Sequence, residues 1–166
     1  MSELSVLILM GSDSDAPVMQ AAVDLLRELD IRCEMTVASA HRSPDRVMRL
    51  VREGPGRGVK VFIVGAGAAA HLAGVVAAHT TLPVIGVPID SSALNGLDAL
   101  LSTVQMPPGV PVATVSIGRP GATNAGVLAA QILGVGDARI AAKLDAYKKR
   151  LAEKVEAAAA KLHQPG

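Results

Sequence analysis

The residues Leu4-Ser5-Val6-Leu7-Ile8-Leu9-Met10 form an almost unbroken apolar run that ends at Gly11. A strand with one face in water alternates apolar and polar residues, and this run does not alternate. It predicts a strand buried on both faces, which requires helices on either side of a parallel sheet. The residues that follow supply the first of those helices. Val18, Ala22, Leu25, Leu26 and Leu29 recur at helical spacing, Pro17 fits the first turn, and Asp15 is placed to cap it.

The same alternation continues along the chain. A second strand is expected over roughly Arg32 to Val37, followed by a helix capped by Ser43 and opened by Pro44, with Val47, Leu50 and Val51 facing inward. Gly54-Pro55-Gly56-Arg57-Gly58 breaks that helix. A third strand (Val59 to Val64) runs into Gly65-Ala66-Gly67 and a helix of small residues from about Ala68 to His79. A fourth strand (Pro83 to Val87) ends at Pro88, a short helix covers Leu97 to Val104, a fifth strand Pro111 to Ile117, and a further helical stretch Asn124 to Leu133. Strand and helix in turn, with right-handed crossovers, predict an α/β, doubly wound parallel sheet in three α/β/α layers. The expected strand order is the flavodoxin-like 2-1-3-4-5, which places the loops after strands one, two and three side by side at the switch point.

At 166 residues the chain suits one domain with a sizeable core. Aromatic residues are nearly absent (Phe62 and Tyr147, no Trp), so Val, Leu, Ile, Ala and Met must build that core. Charge is uneven. From Gly65 to Gly136 the only charged residues are Asp90, Asp98 and Arg119. A monomer can hardly hide so long a charge-poor stretch, so an oligomer with an extensive apolar interface is expected. From Asp137 the sequence turns helical and charge-rich, with Ile140, Leu144, Tyr147, Leu151, Val155, Ala158 and Leu162 forming one apolar stripe. The expected organisation is a catalytic α/β unit over 1–136 and a protruding helical arm over 137–166. The arm packs either on its own domain or on a neighbouring subunit.

Several function classes receive no support. Basic and acidic residues balance (16 against 15), so no electrostatic case for nucleic acid arises. No secretory signal and no apolar run of about 18 residues is found, so no membrane partner and a cytoplasmic location are expected. The single cysteine, Cys33, excludes an internal disulfide and reads as a small buried hydrophobe. His71 and His79 lack the cysteines or carboxylates of a metal site, and no metal is expected. Gly65-Ala66-Gly67-Ala68-Ala69-Ala70 matches G-x-G-x-x-A but on the wrong strand for a dinucleotide fold, and no hydrolase elbow occurs.

Chemistry concentrates in three loops. Ser39-Ala40-His41-Arg42-Ser43-Pro44 combines a side chain that titrates near neutrality with a fixed planar cation suited to phosphate or carboxylate. Gly11-Ser12-Asp13-Ser14-Asp15 leads from a strand into a helix, where free N–H groups favour a phosphate. Asp15 reads equally as a helix cap or as a group for sugar hydroxyls. His71 is either a core or interface histidine or a polar group on a pocket wall. Together the loops suit a phosphorylated small molecule undergoing proton transfer.

GSDSD at 11–15, SAHRSPD at 39–45, GAGAAAHLAG at 65–74, TLPVIGVP at 81–88 and LDALLSTVQMPPGVPVATV at 97–115 resemble the N5-carboxyaminoimidazole ribonucleotide mutase family of purine biosynthesis, in order, over about residues 4–150. The resemblance implies a flavodoxin-like subunit, a homo-octamer, no cofactor, and a phosphoribosyl substrate whose carboxyl group moves from an exocyclic nitrogen to ring carbon C4. It implies His41 as general acid/base, Ser12 and Arg42 on the 5′-phosphate with Ser39 assisting, Asp15 on the ribose hydroxyls, and Gly67 and His71 around the imidazole and migrating carboxylate. It also implies that the C-terminal helix packs on a neighbour. The chain departs from the family pattern at Ala68 and Ala73, where Gly and Pro are frequent, and at Asp90. A related class carboxylates aminoimidazole ribonucleotide directly with carbon dioxide. It tends to carry Lys after the His, so Arg42 and Gly65-Ala66-Gly67-Ala68 favour the mutase. A non-catalytic nucleotide-binding module on the same fold is the remaining alternative.

Overall fold

The computed structural model describes residues 4–162. Strands β1 (Val6–Met10), β2 (Cys33–Val37), β3 (Val61–Gly67), β4 (Val84–Ile89) and β5 (Ala113–Thr114) form one five-stranded sheet in the order β2-β1-β3-β4-β5. Every pairing is parallel, with Val6 opposite Cys33 on one side and Val61 on the other. Helices α1 (Ala16–Glu28), α2 (Pro44–Glu53), α3 (Leu72–Ala77) and α4 (Leu97–Val104) make the four crossovers, α5 (Gly118–Gly134) follows the last strand, and α6 (Ala138–Leu162) closes the described chain. This is the flavodoxin-like α/β arrangement expected from the alternation of elements.

The unbroken apolar run at β1 is explained by what lies on each face of the sheet. Val6, Ile8 and Met10 point with Val61, Ile63, Ile85 and Val87 into a core closed by α1 and α5. Leu7 and Leu9 point the other way, with Phe62, Val64 and Val84, against Val47, Leu50 and Val51 of α2 and Leu72, Ala73 and Val76 of α3. Each strand residue therefore removes its apolar surface from water whichever way it faces, at about 25 cal/mol per Å2 buried. The small residues of α5 let it lie close to α1: a side chain at Gly126 would come within 2.9 Å of Leu25 Cδ2 and 3.3 Å of the Ala22 carbonyl.

Four boundaries differ from the sequence expectation. The helix expected from Ala68 begins only at Leu72, because β3 runs on through Gly67. Gly65 and Gly67 are strand residues with neighbours lying where a Cβ would be, Met19 Sδ at 2.4 Å and Ser91 Oγ at 1.8 Å. Pro88 does not end β4. Strand β5 pairs only with Ile85 and Gly86, which leaves β4 open on that side at Pro88, where a residue lacking an N–H is tolerated. The fifth strand shrinks to Ala113–Thr114. Helix α5 starts at Gly118 rather than Asn124, since Pro120 in its first turn costs no helical bond.

The arm is docked for half its length. Ile140, Leu144 and Tyr147 pack against the α1–α5 side of the core. Ion pairs from Lys143 to Asp30 and from Arg150 to Glu28 hold it along α1. Beyond that point Leu151 and Val155 are exposed. Cys33 is partly buried against the same core.

Among the described residues Asp30, Ala68 and Asn95 have positive φ, and of these only Ala68 is a residue type that does not readily tolerate it. Ala68, directly after β3, has φ of 52°, in the left-handed region that costs a residue with a Cβ roughly 1–2 kcal/mol. Glycine removes that cost but loses ~0.5–1 kcal/mol more chain entropy on folding. Ala68→Gly is expected to raise stability by about 0.5–1 kcal/mol, a gain of a few degrees in Tm by scanning calorimetry. An unchanged or lower Tm contradicts the assignment of strain.

Candidate active site

A cleft of about 200 Å3 opens at the carboxyl ends of β1, β2, β3 and β4. Every residue singled out in the sequence lies on its wall: Ser12 and Asp15 from the loop after β1, Ser39, His41 and Arg42 from the loop after β2, and Gly67 and His71 from the loop after β3. The sheet order causes this convergence. The chain leaves β1 toward one neighbour and later returns to pair on its other side, so loops distant in sequence open into one crevice.

The first loop folds on its own hydrogen bonds. Residues 13–15 form a single 3-10 turn, and Ser12 precedes it in extended conformation. The Ser12 N–H donates to Asp15 Oδ2 at 3.1 Å, and the Ser14 N–H and hydroxyl both donate to Ser12 Oγ, at 3.4 and 2.9 Å. Asp15 stands at the N-cap position of α1, yet its side chain makes no capping bond there. It turns back to Ser12 and toward the cleft, where it is only 6% exposed. Burial pushes the Asp15 carboxyl above its ordinary value, against the Ser12 N–H bond that lowers it; Asp13 adds to the rise and Arg42 opposes it.

The second loop is tied to the first by Arg42. Its Nη2 donates to the Gly11 carbonyl at 3.0 Å, bridging the ends of β2 and β1. Its backbone N–H and Nε donate to Ser39 Oγ at 3.2 and 3.5 Å. Ser39 is buried, and Ser43 holds it in turn: the Ser39 N–H donates to Ser43 Oγ at 3.0 Å, and the Ser43 hydroxyl donates to the Ser39 carbonyl at 3.2 Å. Ser43 thus occupies the N-cap position of α2 without the side-chain cap bond expected of it. Its hydroxyl closes the loop that presents His41 and Arg42.

His41 and His71 meet across the cleft. His41 Nε2 lies 2.7 Å from His71 Nδ1, with the rings edge to face, 85° between planes and 4.9 Å between centroids. One nitrogen must carry the proton and the other must accept it. The pair therefore shares one proton in a hydrogen bond between two exposed rings. Gly67 forms the floor beside them, and Ser91 stands against it closely enough that no Cβ fits there. Ser14, within the loop singled out for phosphate, and Ser91, which nothing in the sequence marked, also line the cleft. Ser91 was findable only by its position just past a strand end. Among the described residues, no three His, Cys, Asp or Glu side chains gather to hold a metal ion, and no helix is long and apolar enough to cross a membrane.

Fold and cleft define a class: a flavodoxin-like α/β protein whose switch-point crevice is lined by Ser12, Ser39 and Arg42 on one side and a hydrogen-bonded imidazole pair on the other. The family model described as AIR carboxylase matches residues 5–154, and the chain belongs to that family. It is 54% identical over 159 residues to the N5-carboxyaminoimidazole ribonucleotide mutase of Thermotoga maritima, covering 96% of this chain and 92% of the relative. It is 56% identical over 148 residues to the Bacillus subtilis protein of the same name, covering 89% and 91%. Among solved structures, Treponema denticola PurE superposes with a TM-score of 0.86 at 29% identity, over 96% of this chain and 98% of that one. A Treponema denticola PurE2 variant superposes at 0.89 and 28% identity, over 98% and 100%.

The raised carboxyl of Asp15 predicts a pH-dependent effect on stability. A carboxyl lifted above its ordinary value of 3.8 favours the folded state while protonated, and that contribution is lost as pH rises through the lifted value. At neutral pH the ionised, buried Asp15 therefore weighs against folding. Asp15→Asn, which keeps an acceptor for the Ser12 N–H, is expected to melt at higher temperature than the wild type at pH 7. The difference should close as pH falls below the carboxylate range. A difference in Tm that ignores pH contradicts this account.

Proposed function

We propose that this chain converts N5-carboxyaminoimidazole ribonucleotide to 4-carboxy-5-aminoimidazole ribonucleotide, the isomerase step of purine biosynthesis named for its relatives, with no cofactor and in the cytoplasm. The observation that carries the reading is the His41–His71 contact at 2.7 Å, set in the same crevice as the Ser12 and Arg42 donors and over a floor of small residues. The identity of more than half to relatives named as the mutase supports it.

The roles follow from chemistry. Ser12 and Arg42 bind the 5′-phosphate, the first through its hydroxyl and the second through a fixed fork, while Ser39 orients Arg42. Asp15 accepts from the ribose hydroxyls. The aminoimidazole then lies over Gly67, on the floor of the cleft, where the missing Cβ lets Ser91 close up beneath it. The N-carboxylate is a carbamate, and protonating its nitrogen breaks the N–C bond and releases carbon dioxide. His41 supplies that proton. The pocket, lined on this side by Gly67 and His71, keeps the carbon dioxide beside C4 and keeps water out. C4 forms the new C–C bond with its ring electrons, and His41 recovers a proton from C4, so the imidazole ends as it began. One group serving as acid and then base is typically worth 10²–10⁴-fold.

The same reading extends to assembly. On α4 and the turn before it, Leu94, Leu97, Leu101 and Val104 are 60, 52, 49 and 47% exposed, an apolar stripe no described element covers. Together with Leu151 and Val155 on the outer half of α6, it supports a homo-oligomer, an octamer by resemblance, in which that outer half of the expected 137–166 arm reaches a neighbouring subunit; residues 163–166 lie outside the described residues. Sedimentation velocity measures this directly, and a monomer contradicts it.

Supplying each substrate separately tests the reaction. Turnover of the N-carboxylated ribonucleotide at low bicarbonate is expected, and His41→Asn should lower it by roughly 10²–10⁴-fold while leaving the protein folded. Activity only with the uncarboxylated ribonucleotide plus bicarbonate means direct carboxylation, and activity with neither leaves a nucleotide-binding module.

A further inference from the structure

We propose that Ser102, on α4 and outside the cleft, is a positioning residue that fixes the loop after β3 and thereby holds His71 against His41. The inference rests on the acid/base reading of His41 given above.

Residues 68–70 belong to neither β3 nor α3, so sheet and helix ladders leave their backbone groups without partners. The loop is strained at Ala68, where φ is 52°, and tight at its end, where the His71 N–H donates to the Ala69 carbonyl at 2.8 Å. Between these points Ala70 is buried, 1% exposed. Its N–H donates to Ser102 Oγ at 3.1 Å. The Ser102 hydroxyl proton is directed to the Asp98 carbonyl at 2.7 Å, one turn back on α4, with the Ala99 and Ala68 carbonyls farther off at 3.3 and 3.4 Å. With its proton so committed, the oxygen faces Ala70 as an acceptor. Among the described residues, the side-chain hydrogen bonds to the backbone of residues 68–70 come from Ser102 alone.

Removing that oxygen leaves a buried N–H without an acceptor beside a strained residue. The loop relieves both by moving, and the next residue is His71. A hydrogen bond between two rings at 2.7 Å and 85° tolerates little displacement of either. The phosphate-side groups, Ser12 and Arg42, stand on other loops and do not move with it.

The test is a double-mutant cycle. Ser102→Ala is expected to lower kcat by tenfold or more, up to about 10²-fold, the size of effect a misplaced group of about 1 Å produces. KM should stay within about twofold, because the phosphate donors are untouched. In a His71→Asn background the same change should have no further effect on kcat, since the group it positions is gone. Ser102→Thr, which keeps the acceptor, should restore most of the rate. An equal loss in both backgrounds, or a loss of Tm with kcat intact, overturns the proposal. Where Ser102→Ala does not fold, Ser102→Cys, a much weaker acceptor of similar size, carries the cycle. The imidazole 15N resonances give a readout independent of turnover: those of His41 and His71 should shift together in Ser102→Ala and return in Ser102→Thr. Unchanged resonances overturn the positioning claim even in an active enzyme. A wild type that fails to turn over the carboxylated ribonucleotide, with the resonances shifting as expected, overturns the functional reading and leaves the positioning intact.

Discussion

Everything in the cleft depends on β1 being buried on both faces with a parallel neighbour on each side. A strand so placed cannot be an edge, so the chain has to cross over twice, once to β2 and once to β3. Those crossovers deliver three loops to the carboxyl end of the sheet within a few ångströms of one another. Arg42 then locks two of them by donating to the Gly11 carbonyl, and His41 reaches His71 on the third. The apolar run in β1 and the polar groups of the cleft are one fact seen at two levels: hydrophobic burial sets the topology, and the topology assembles the site.

The loops are rigid for reasons independent of any ligand. Ser12, Ser14 and Asp15 satisfy one another, Ser39 and Ser43 exchange hydrogen bonds, and Ser102 reaches in from α4. Local stability is sacrificed to hold this geometry. Asp15 keeps a carboxyl in a buried place that disfavours its charge, and Ala68 keeps a left-handed backbone despite its Cβ. Strained and desolvated groups collect where function needs them and persist because the surrounding core over-determines them. Here that core is Val, Leu, Ile and Ala packed on both sides of the sheet.

Most of this was legible in the sequence, and the exceptions have causes. Apolar runs ending in glycine located β1 and β3, a run ending at Pro88 located β4, and their alternation with helical stripes predicted the strand order. Residues in long motifs on strand-to-helix turns, Ser12, Asp15, Ser39, His41, Arg42, Gly67 and His71, all reached the cleft. Small residues misled the reading at 68–71, because a string of alanines looks helical while the close neighbours of Gly65 and Gly67 keep β3 extended. The helical stretch expected from Asn124 starts six residues earlier, at Gly118, so Gly118-Arg119-Pro120-Gly121 opens α5. A side chain at Gly121 would meet the Ser116 carbonyl at 1.6 Å, a crowding that periodicity does not report. Ser91 carried no signal beyond its position past a strand end, and Ser102 carried none, since it acts through contacts with a distant part of the chain.

The account's central claim is that these loops form a single nucleotide site with the phosphate and the reacting ring at opposite ends. A crystal structure with the carboxylated aminoimidazole ribonucleotide bound measures it directly. The phosphate is predicted to sit within hydrogen-bonding distance of Ser12 Oγ and the Arg42 guanidinium, the ribose hydroxyls on Asp15, and the ring over Gly67 with C4 facing His41. A nucleotide bound elsewhere, or one held here with its ring turned away from His41, contradicts it.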